Sequence, residues 1–286
     1  MIWRTSRFEI DLSYPRVMGI VNVTPDSFSD GGLHGSTASA LRHCEQLLQE
    51  GVDILDIGGE SSRPGAQPLG VEDELARVLP VVRAAVTLGV PVSVDTYKPQ
   101  VMQAVLDLGA DIINDIWALR WQDPCYPLHG KQVVAAHSSC GVCLMHMHLE
   151  PQTMQVQPMH GDVVPQVLTF LELSALDLQA LGVEKSRILL DPGIGFGKTV
   201  AQNFALLAQQ AELLKLGYPL LAGWSRKSSL AGMGIHPEQG EVLSAHQRLI
   251  PSVAAALLAA ERGASVLRVH DVKETVQALR VLAAIR

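Results

Sequence analysis

Residues 91–115 read PVSVDTYKPQVMQAVLDLGADIIND. Two short apolar runs rich in β-branched residues, 91–95 and 111–114, flank a helical stretch, 99–108, that stops at Gly109. Continuously apolar runs of a few residues suit strands buried on both faces, and glycine is the usual signal just past a helix C-terminus. The segment predicts a strand, a crossover helix and a second strand, which implies parallel pairing.

The same rhythm runs outward in both directions. Further strands are predicted at 17–22, 53–57, 142–147, 187–191, 219–223 and 265–269, and helices at 37–49, 71–88, 163–181, 202–214, 251–261 and 275–284. Gly51, Gly89, Gly182, Gly217 and Gly263 close helices as Gly109 does. Eight such units in 286 residues favour a closed barrel over a doubly wound open sheet, so the expected class is α/β, a (β/α)₈ TIM barrel filling residues 1–286 as a single domain. Polar residues fall at or just past the proposed strand ends: Asn22, Asp56, Asp95, Asn114, His146, Asp191, Ser225 and His270. One such residue would read as a helix cap. Eight together point to the catalytic rim of a barrel.

Composition narrows the function classes. Hydrophobic residues make up 48% and charged residues 18%, enough apolar material for a large core and too much for disorder. The net charge of −7 and a pI near 5.8 argue against a nucleic-acid partner. No apolar run approaches the roughly 20 residues that span a bilayer, and Met1–Thr5 show no signal-peptide pattern, so a cytoplasmic location away from membranes is expected. Four cysteines, unevenly spaced, do not make a disulfide scaffold.

Five loops carry candidate chemistry. The first, NVTPDSFSDGG at 22–32, is rich in hard oxygen donors and could hold Mg²⁺ against a diphosphate, or be an ordinary polar loop. The second, DIGGESSRPG at 56–65, sets hydroxyls and Arg63 beside glycine-rich backbone, where a guanidinium can fork to phosphate; an exposed turn is the alternative. The third, DPGIGFGKT at 191–199, fits neither nucleotide fingerprint, since Pro192 and Lys198 stand where each needs glycine. What remains is a carboxylate with an aromatic ring, suited to a pterin. The fourth, GWSRKSS at 223–229, collects cations and hydroxyls at a strand-to-helix turn, a natural anion site. In the fifth, Arg268 and His270 stand two apart, on one side of a strand, where they could clamp a diphosphate. His137, Cys140, Cys143 and His146 mimic a zinc spacing, but strand alternation turns Cys143 and His146 to opposite faces, against tetrahedral convergence.

Taken together, NVTPDSFSDGG (22–32), DIGGESSRPGA (56–66), VDT (94–96), IND (113–115), LMHM (144–147), LLDPGIGFGKT (189–199), SRKS (225–228) and RVHDVKE (268–274) resemble the dihydropteroate synthases along nearly the whole chain. The resemblance implies a TIM barrel, typically homodimeric, that joins 6-hydroxymethyl-7,8-dihydropterin diphosphate to p-aminobenzoate in folate biosynthesis and is the sulfonamide target. It implies that Asn22 ligates Mg²⁺, and that Ser62, Arg63, Arg268 and His270 hold the diphosphate. Asp95, Asn114, Asp191 and Lys227 would line the pterin pocket with Met145 and Phe196. Ser225, Ser228, Phe28 and Pro64 would meet p-aminobenzoate. Asp95, Asp191, Lys227 and Arg63 would carry the catalysis. Departures from the family pattern are Ser62 for a common Thr, His148-Leu149 after LMHM, Trp224 for a smaller residue, and an unusual segment from Trp117 to Gly130. Two other readings fit parts of the pattern: a pterin-binding methyltransferase domain, and an inactive paralogue serving as a binding protein.

Overall fold

The computed structural model describes residues 1–23, 32–61, 65–236 and 240–285, with backbone alone for 32–36. Eight parallel strands form one sheet: β3 (Arg16–Asn22), β4 (Ile54–Gly58), β5 (Val92–Asp95), β6 (Ile112–Asp115), β7 (Gly141–Met145), β8 (Ile188–Asp191), β9 (Leu221–Ala222) and β10 (Val266–Val269). They pair in the order β8-β7-β6-β5-β4-β3-β10-β9. The edges meet through a bridge from Leu190 to Leu220, with Leu190 N donating to Pro219 O at 3.0 Å. The barrel predicted from the strand–helix rhythm is the barrel observed.

Alternation along each strand sorts the side chains into two shells. Val17 and Val21 on β3, Leu55 and Ile57 on β4, and Val92 and Val94 on β5 belong to the large outer core under the helices. That layer includes α1 (Gly32–Glu50), α2 (Val71–Ala85) and α3 (Pro99–Asp107). The remaining helices are α4 (Gly130–Ala136), α5 (Val163–Ala180), α6 (Val200–Ala208), α7 (Gln210–Leu214), α8 (Leu249–Glu261) and α9 (Val272–Ala284). No helix among the described residues is long and apolar enough to cross a membrane.

Inside the barrel, Met18, Ile54, Ile112, Cys143, Leu189, Leu221 and Val266 form an apolar floor. An antiparallel hairpin of β1 (Ile2–Arg4) and β2 (Glu9–Asp11) plugs this end. Trp3 is fully buried in the same cluster, and its indole N–H donates to Arg187 O at 2.9 Å. The sequence reading began its strands at residue 17 and missed the hairpin, because two strands of three residues carry too little periodicity to register.

Two residues further along each strand, on the same inner side, the chemistry changes. Ile54 gives way to Asp56, Ile112 to Asn114, Leu189 to Asp191, and Val266 to Arg268. The floor is therefore hydrophobic and the mouth polar, in accord with the two-residue repeat of a strand.

Elsewhere the structure corrects details. The helix expected over 202–214 is two helices, α6 and α7, which meet at Gln209. The unusual segment after β6 leads into α4, a helix not predicted. Ala118 and Leu119 there adopt left-handed backbone (φ 51 and 60°). Asp115 holds that turn by accepting from Trp117 N and Leu119 N, each at 2.7 Å.

Candidate active site

The mouth is organised by Arg268. Its Nε donates to Asp56 Oδ2 and its Nη2 to Asp95 Oδ2, both at 2.6 Å. Ser93 Oγ donates to Asp56 Oδ1 at 2.6 Å, and Asn114 Nδ2 reaches Asp56 Oδ2 at 3.3 Å. Asp56 is fully buried, so every contact on it acts in a low dielectric. Burial works against the Arg268 cation, but Asp56 and Asp95 outweigh it and raise its pKa. Burial lifts Asp95 to about 7 and the Asp56 carboxylate adds to the lift, against the pull of Arg268.

Across the mouth, Asp191 at the end of β8 accepts from Gly193 N at 2.7 Å, and burial raises its pKa. Lys227 stands with its ammonium 4.2 Å from the centre of the Phe196 ring, a cation–π arrangement. Burial lowers Lys227 to about 8, assisted by repulsion from Arg268 and opposed by Asp191 and Asp95. Phe196 and Met145 share a buried apolar cluster with Ile116, Met147 and Met154.

The 193–197 loop owes its shape to close approach. Gly193 has φ 68°, and a Cβ there would lie 1.8 Å from His146 O. Gly197 has φ 70°, and its Cβ would lie 2.6 Å from that of His148. These glycines allow the backbone to press against the turn after β7, which is a tighter role than loop flexibility. Lys198 pins the arrangement from beneath. It is 2% exposed and its ammonium reaches Gly193 O (2.8 Å), Phe196 O (3.1 Å) and His146 Nδ1 (2.9 Å). Burial lowers Lys198 to about 7, while burial and the Lys198 charge press His146 down to about 2, so its ring is neutral.

On the third side Ser225 and His270 form a pair. Ser225 Oγ accepts from His270 N at 3.1 Å and lies 3.0 Å from His270 Nδ1. Burial, Arg226 and Arg268 push His270 down to about 3. The ring is therefore neutral, and the Ser225 hydroxyl and Nδ1 share one hydrogen bond whose direction follows the tautomer. Arg226 takes left-handed backbone (φ 58°) and is held by Ser252 Oγ at 2.9 Å from its N–H and by an ion pair with Asp271.

A family profile for pterin binding enzymes matches residues 18–270. A dihydropteroate synthase of Neisseria meningitidis serogroup B is 46% identical over 99% of this chain and 97% of its own length. The chain belongs to the dihydropteroate synthase family of pterin-binding enzymes. Among solved family members, the Burkholderia cenocepacia enzyme complexed with 7,8-dihydropteroate superposes with a TM-score of 0.87 at 47% identity, covering 100% of this chain and 96% of that one. The Yersinia pestis enzyme in a sulfonamide drug complex gives 0.89 at 42% identity, covering 100% and 99%.

Of the site residues the family resemblance implied, the structure brings Asp95, Asn114, Asp191, Lys227, Arg268, His270, Ser225, Met145 and Phe196 to one mouth, with Asn22 at the end of β3. Ser228 is exposed at the start of a 3-10 turn, and among the described residues no hydrogen bond joins its side chain to them. Phe28, Ser62, Arg63 and Pro64 lie outside the described residues. The zinc-like quartet disperses. His137 Nδ1 accepts from Cys140 N at 2.9 Å, Cys140 Sγ sits by Arg187, Cys143 joins the barrel floor, and His146 meets Lys198. The predicted strand over 142–147 ends at Met145, so His146 belongs to the following turn.

Sequence reasoning missed Asp56 as a working residue, although its place two after Ile54 puts it inside the barrel. It also missed Ser93 and Lys198. Lys198 was read only as a break in a nucleotide motif, and nothing in the sequence marks a lysine for burial.

Proposed function

We propose that this protein is a dihydropteroate synthase that condenses 6-hydroxymethyl-7,8-dihydropterin diphosphate with p-aminobenzoate to give 7,8-dihydropteroate and diphosphate. The observation that carries this is the mouth itself: two carboxylates, half-buried Asp95 and buried Asp191, stand beside the cations Lys227 and Arg268 and an apolar wall of Met145 and Phe196. Its family membership and the product complex of its Burkholderia relative support the same reading.

Asp95, Asn114 and Asp191 would bind the polar edge of the pterin, with Lys227 at its ring and Phe196 and Met145 against its face. As the C–O bond to the methylene breaks, diphosphate leaves with the electron pair and positive charge develops on the pterin. The two carboxylates stabilise that charge. The arylamine nitrogen then bonds the methylene and releases a proton to solvent. His270, with Ser62, Arg63 and Arg268, would hold the departing anion. Ser225 and Ser228, with Phe28 and Pro64, would meet p-aminobenzoate.

Mg²⁺ suits the donor chemistry at this edge. Asn22 offers a hard amide oxygen at the strand end, and this metal accepts few protein ligands when phosphate and water complete its shell. Bound there, it would neutralise charge on the diphosphate. We further propose a cytoplasmic homodimer with no nucleic-acid or membrane partner, in keeping with the acidic composition.

A pterin methyltransferase would need the pterin pocket but no diphosphate clamp, so the Arg268–His270 strand end disfavours it. The test is to incubate the enzyme with pterin diphosphate, p-aminobenzoate and Mg²⁺ and to quantify 7,8-dihydropteroate by mass spectrometry. Product in catalytic amounts is expected. Pterin binding without product would favour the inactive paralogue, and methyl transfer requiring a cobalamin partner would favour the methyltransferase.

A further inference from the structure

Helix α6 carries a buried amide near its start. Asn203 is 1% exposed, and asparagine is neither a strong helix former nor easily buried unless its amide is bonded. Its Nδ2 donates to Thr199 O at 3.0 Å, with Lys198 O at 3.4 Å, both on the chain just ahead of the helix. The other two bonds leave the helix. Oδ1 accepts from Gly195 N at 2.8 Å, in the loop that carries Phe196. Nδ2 donates to Ser229 Oγ at 2.9 Å, in the 3-10 turn Ser228–Leu230 that follows Lys227. The backbone partners fix which end of the amide is which, because Gly195 N can only donate and Thr199 O can only accept.

The two elements so joined face each other. Gly195 has φ 83°, and a Cβ there would lie 3.2 Å from Lys227 Cδ, so the loop runs along the stem of that lysine. The next residue, Phe196, sets its ring centre 4.2 Å from the Lys227 ammonium. Gln155 Nε2 donates to Gly195 O at 2.6 Å, so both sides of this residue's backbone are held. On the far side Ser229 is buried, and Leu230 N donates to Lys227 O at 3.0 Å, so a displaced Ser229 carries Lys227 with it. Phe204, beside Asn203 on α6, also reaches this region through Trp224, at 5.3 Å between ring centres. That apolar contact is non-directional and tolerates sliding, whereas the amide hydrogen bonds fix the register.

On the reading of the mouth as a pterin pocket, we propose that Asn203 is a positioning residue for the reaction: it ties the Gly195–Phe196 backbone to the Lys227 turn and so sets where ring and ammonium stand when the pterin enters. The buried amide acts on the substrate only through Phe196 and Lys227. Without it, Gly195 N loses its acceptor and the two elements lose their common reference, and small misplacements of binding groups are costly.

The test is calorimetric titration of 7,8-dihydropteroate into the intact protein and its variants, well below their unfolding temperatures, with kcat/KM for the pterin diphosphate followed against pH. Asn203→Ala removes the whole bridge and Ser229→Ala only its far end, so the second variant still answers if the first fails to fold. Affinity should fall about tenfold in the first and about threefold in the second. The double variant should bind no more weakly than Asn203→Ala, since both changes cut one link. Burial, with repulsion from Arg268 and against the pull of Asp191 and Asp95, lowers Lys227 to about 8. A loosened turn lets water reach the ammonium, so the alkaline limb that Lys227 sets should move upward in both variants. Thr199→Ala is the control for damage to the helix. Its hydroxyl caps α6 by accepting from Gln202 N at 3.2 Å and takes no part in the bridge. Its loss should lower the unfolding midpoint while affinity and limb stay as in wild type. Wild-type affinity or an unmoved limb in both bridge variants, additive losses, or an equal loss in Thr199→Ala would overturn the proposal. A wild type that does not bind dihydropteroate would instead remove the pterin reading on which it stands.

Discussion

Arg268 and Asp95 stand 173 positions apart in the chain and meet at 2.6 Å within the barrel mouth. The same guanidinium holds Asp56 through Nε at 2.6 Å. One cation thus keeps two inward carboxylates in place before any substrate arrives, so little reorganisation is left for the reaction.

Removing that cation should be costly to the fold as well as to turnover. Arg268→Gln leaves Asp56 and Asp95 facing one another, and breaking a buried pair in this way costs on the order of 3 kcal/mol. A urea titration should show the midpoint fall with the slope unchanged, and Asp56→Asn in the same chain should recover part of the loss. An unaltered midpoint in the single variant would mean that the carboxylates do not depend on Arg268.

Gly193→Ala tests the packed glycine loop. The added methyl would sit 1.8 Å from His146 O, at a backbone angle that alanine resists. The loop must then move, taking Phe196 and the N–H bonded to Asp191 with it. Pterin affinity should fall by about tenfold or more, while the unfolding midpoint shifts less than in Arg268→Gln. Wild-type pterin binding would show that the contact with the 146–148 turn is incidental.

The sequence made the barrel legible because its strands are continuously apolar and its helices end in glycine; the 91–115 unit alone shows both. The polar mouth was legible for the same reason, as Asp95, Asn114 and Asp191 each close an apolar run. What remained hidden depends on contacts between distant elements. Trp3 looks like an ordinary terminal residue until the barrel floor closes over it. Asp56 was visible at a strand end, but its claim on Arg268 spans 212 positions and leaves no local trace. Lys198 is polar by identity and buried only because three acceptors converge on it.

Lys198 also makes a pH prediction. Its pKa is lowered from 10.5 to about 7 in the folded protein. Between those values the unfolded chain binds a proton that the folded one lacks, so this group makes stability rise with pH across the window. Lys198→Met removes the effect. Unfolding midpoints of wild type and variant, compared at pH 6 to 10, should separate progressively in favour of the wild type above about pH 7. Parallel curves would contradict the burial of this ammonium as the source.

Lys227 should set an alkaline limb on activity. With its pKa lowered to about 8, it loses its proton within the accessible range. The rate constant kcat/KM should decline above that pH, and Lys227→Arg should move the decline upward, since guanidinium stays charged. Persistence of the same limb in the arginine variant would assign it to another group.

The central claim is that residues from Asn22 to His270 form one site for displacement of diphosphate by an arylamine. It is tested most directly by measuring diphosphate release from 6-hydroxymethyl-7,8-dihydropterin diphosphate with and without p-aminobenzoate. We predict release that p-aminobenzoate strongly accelerates, matched one for one by 7,8-dihydropteroate, and abolished in Asp191→Asn. Release that ignores p-aminobenzoate, or survives loss of the Asp191 carboxylate, would contradict the account.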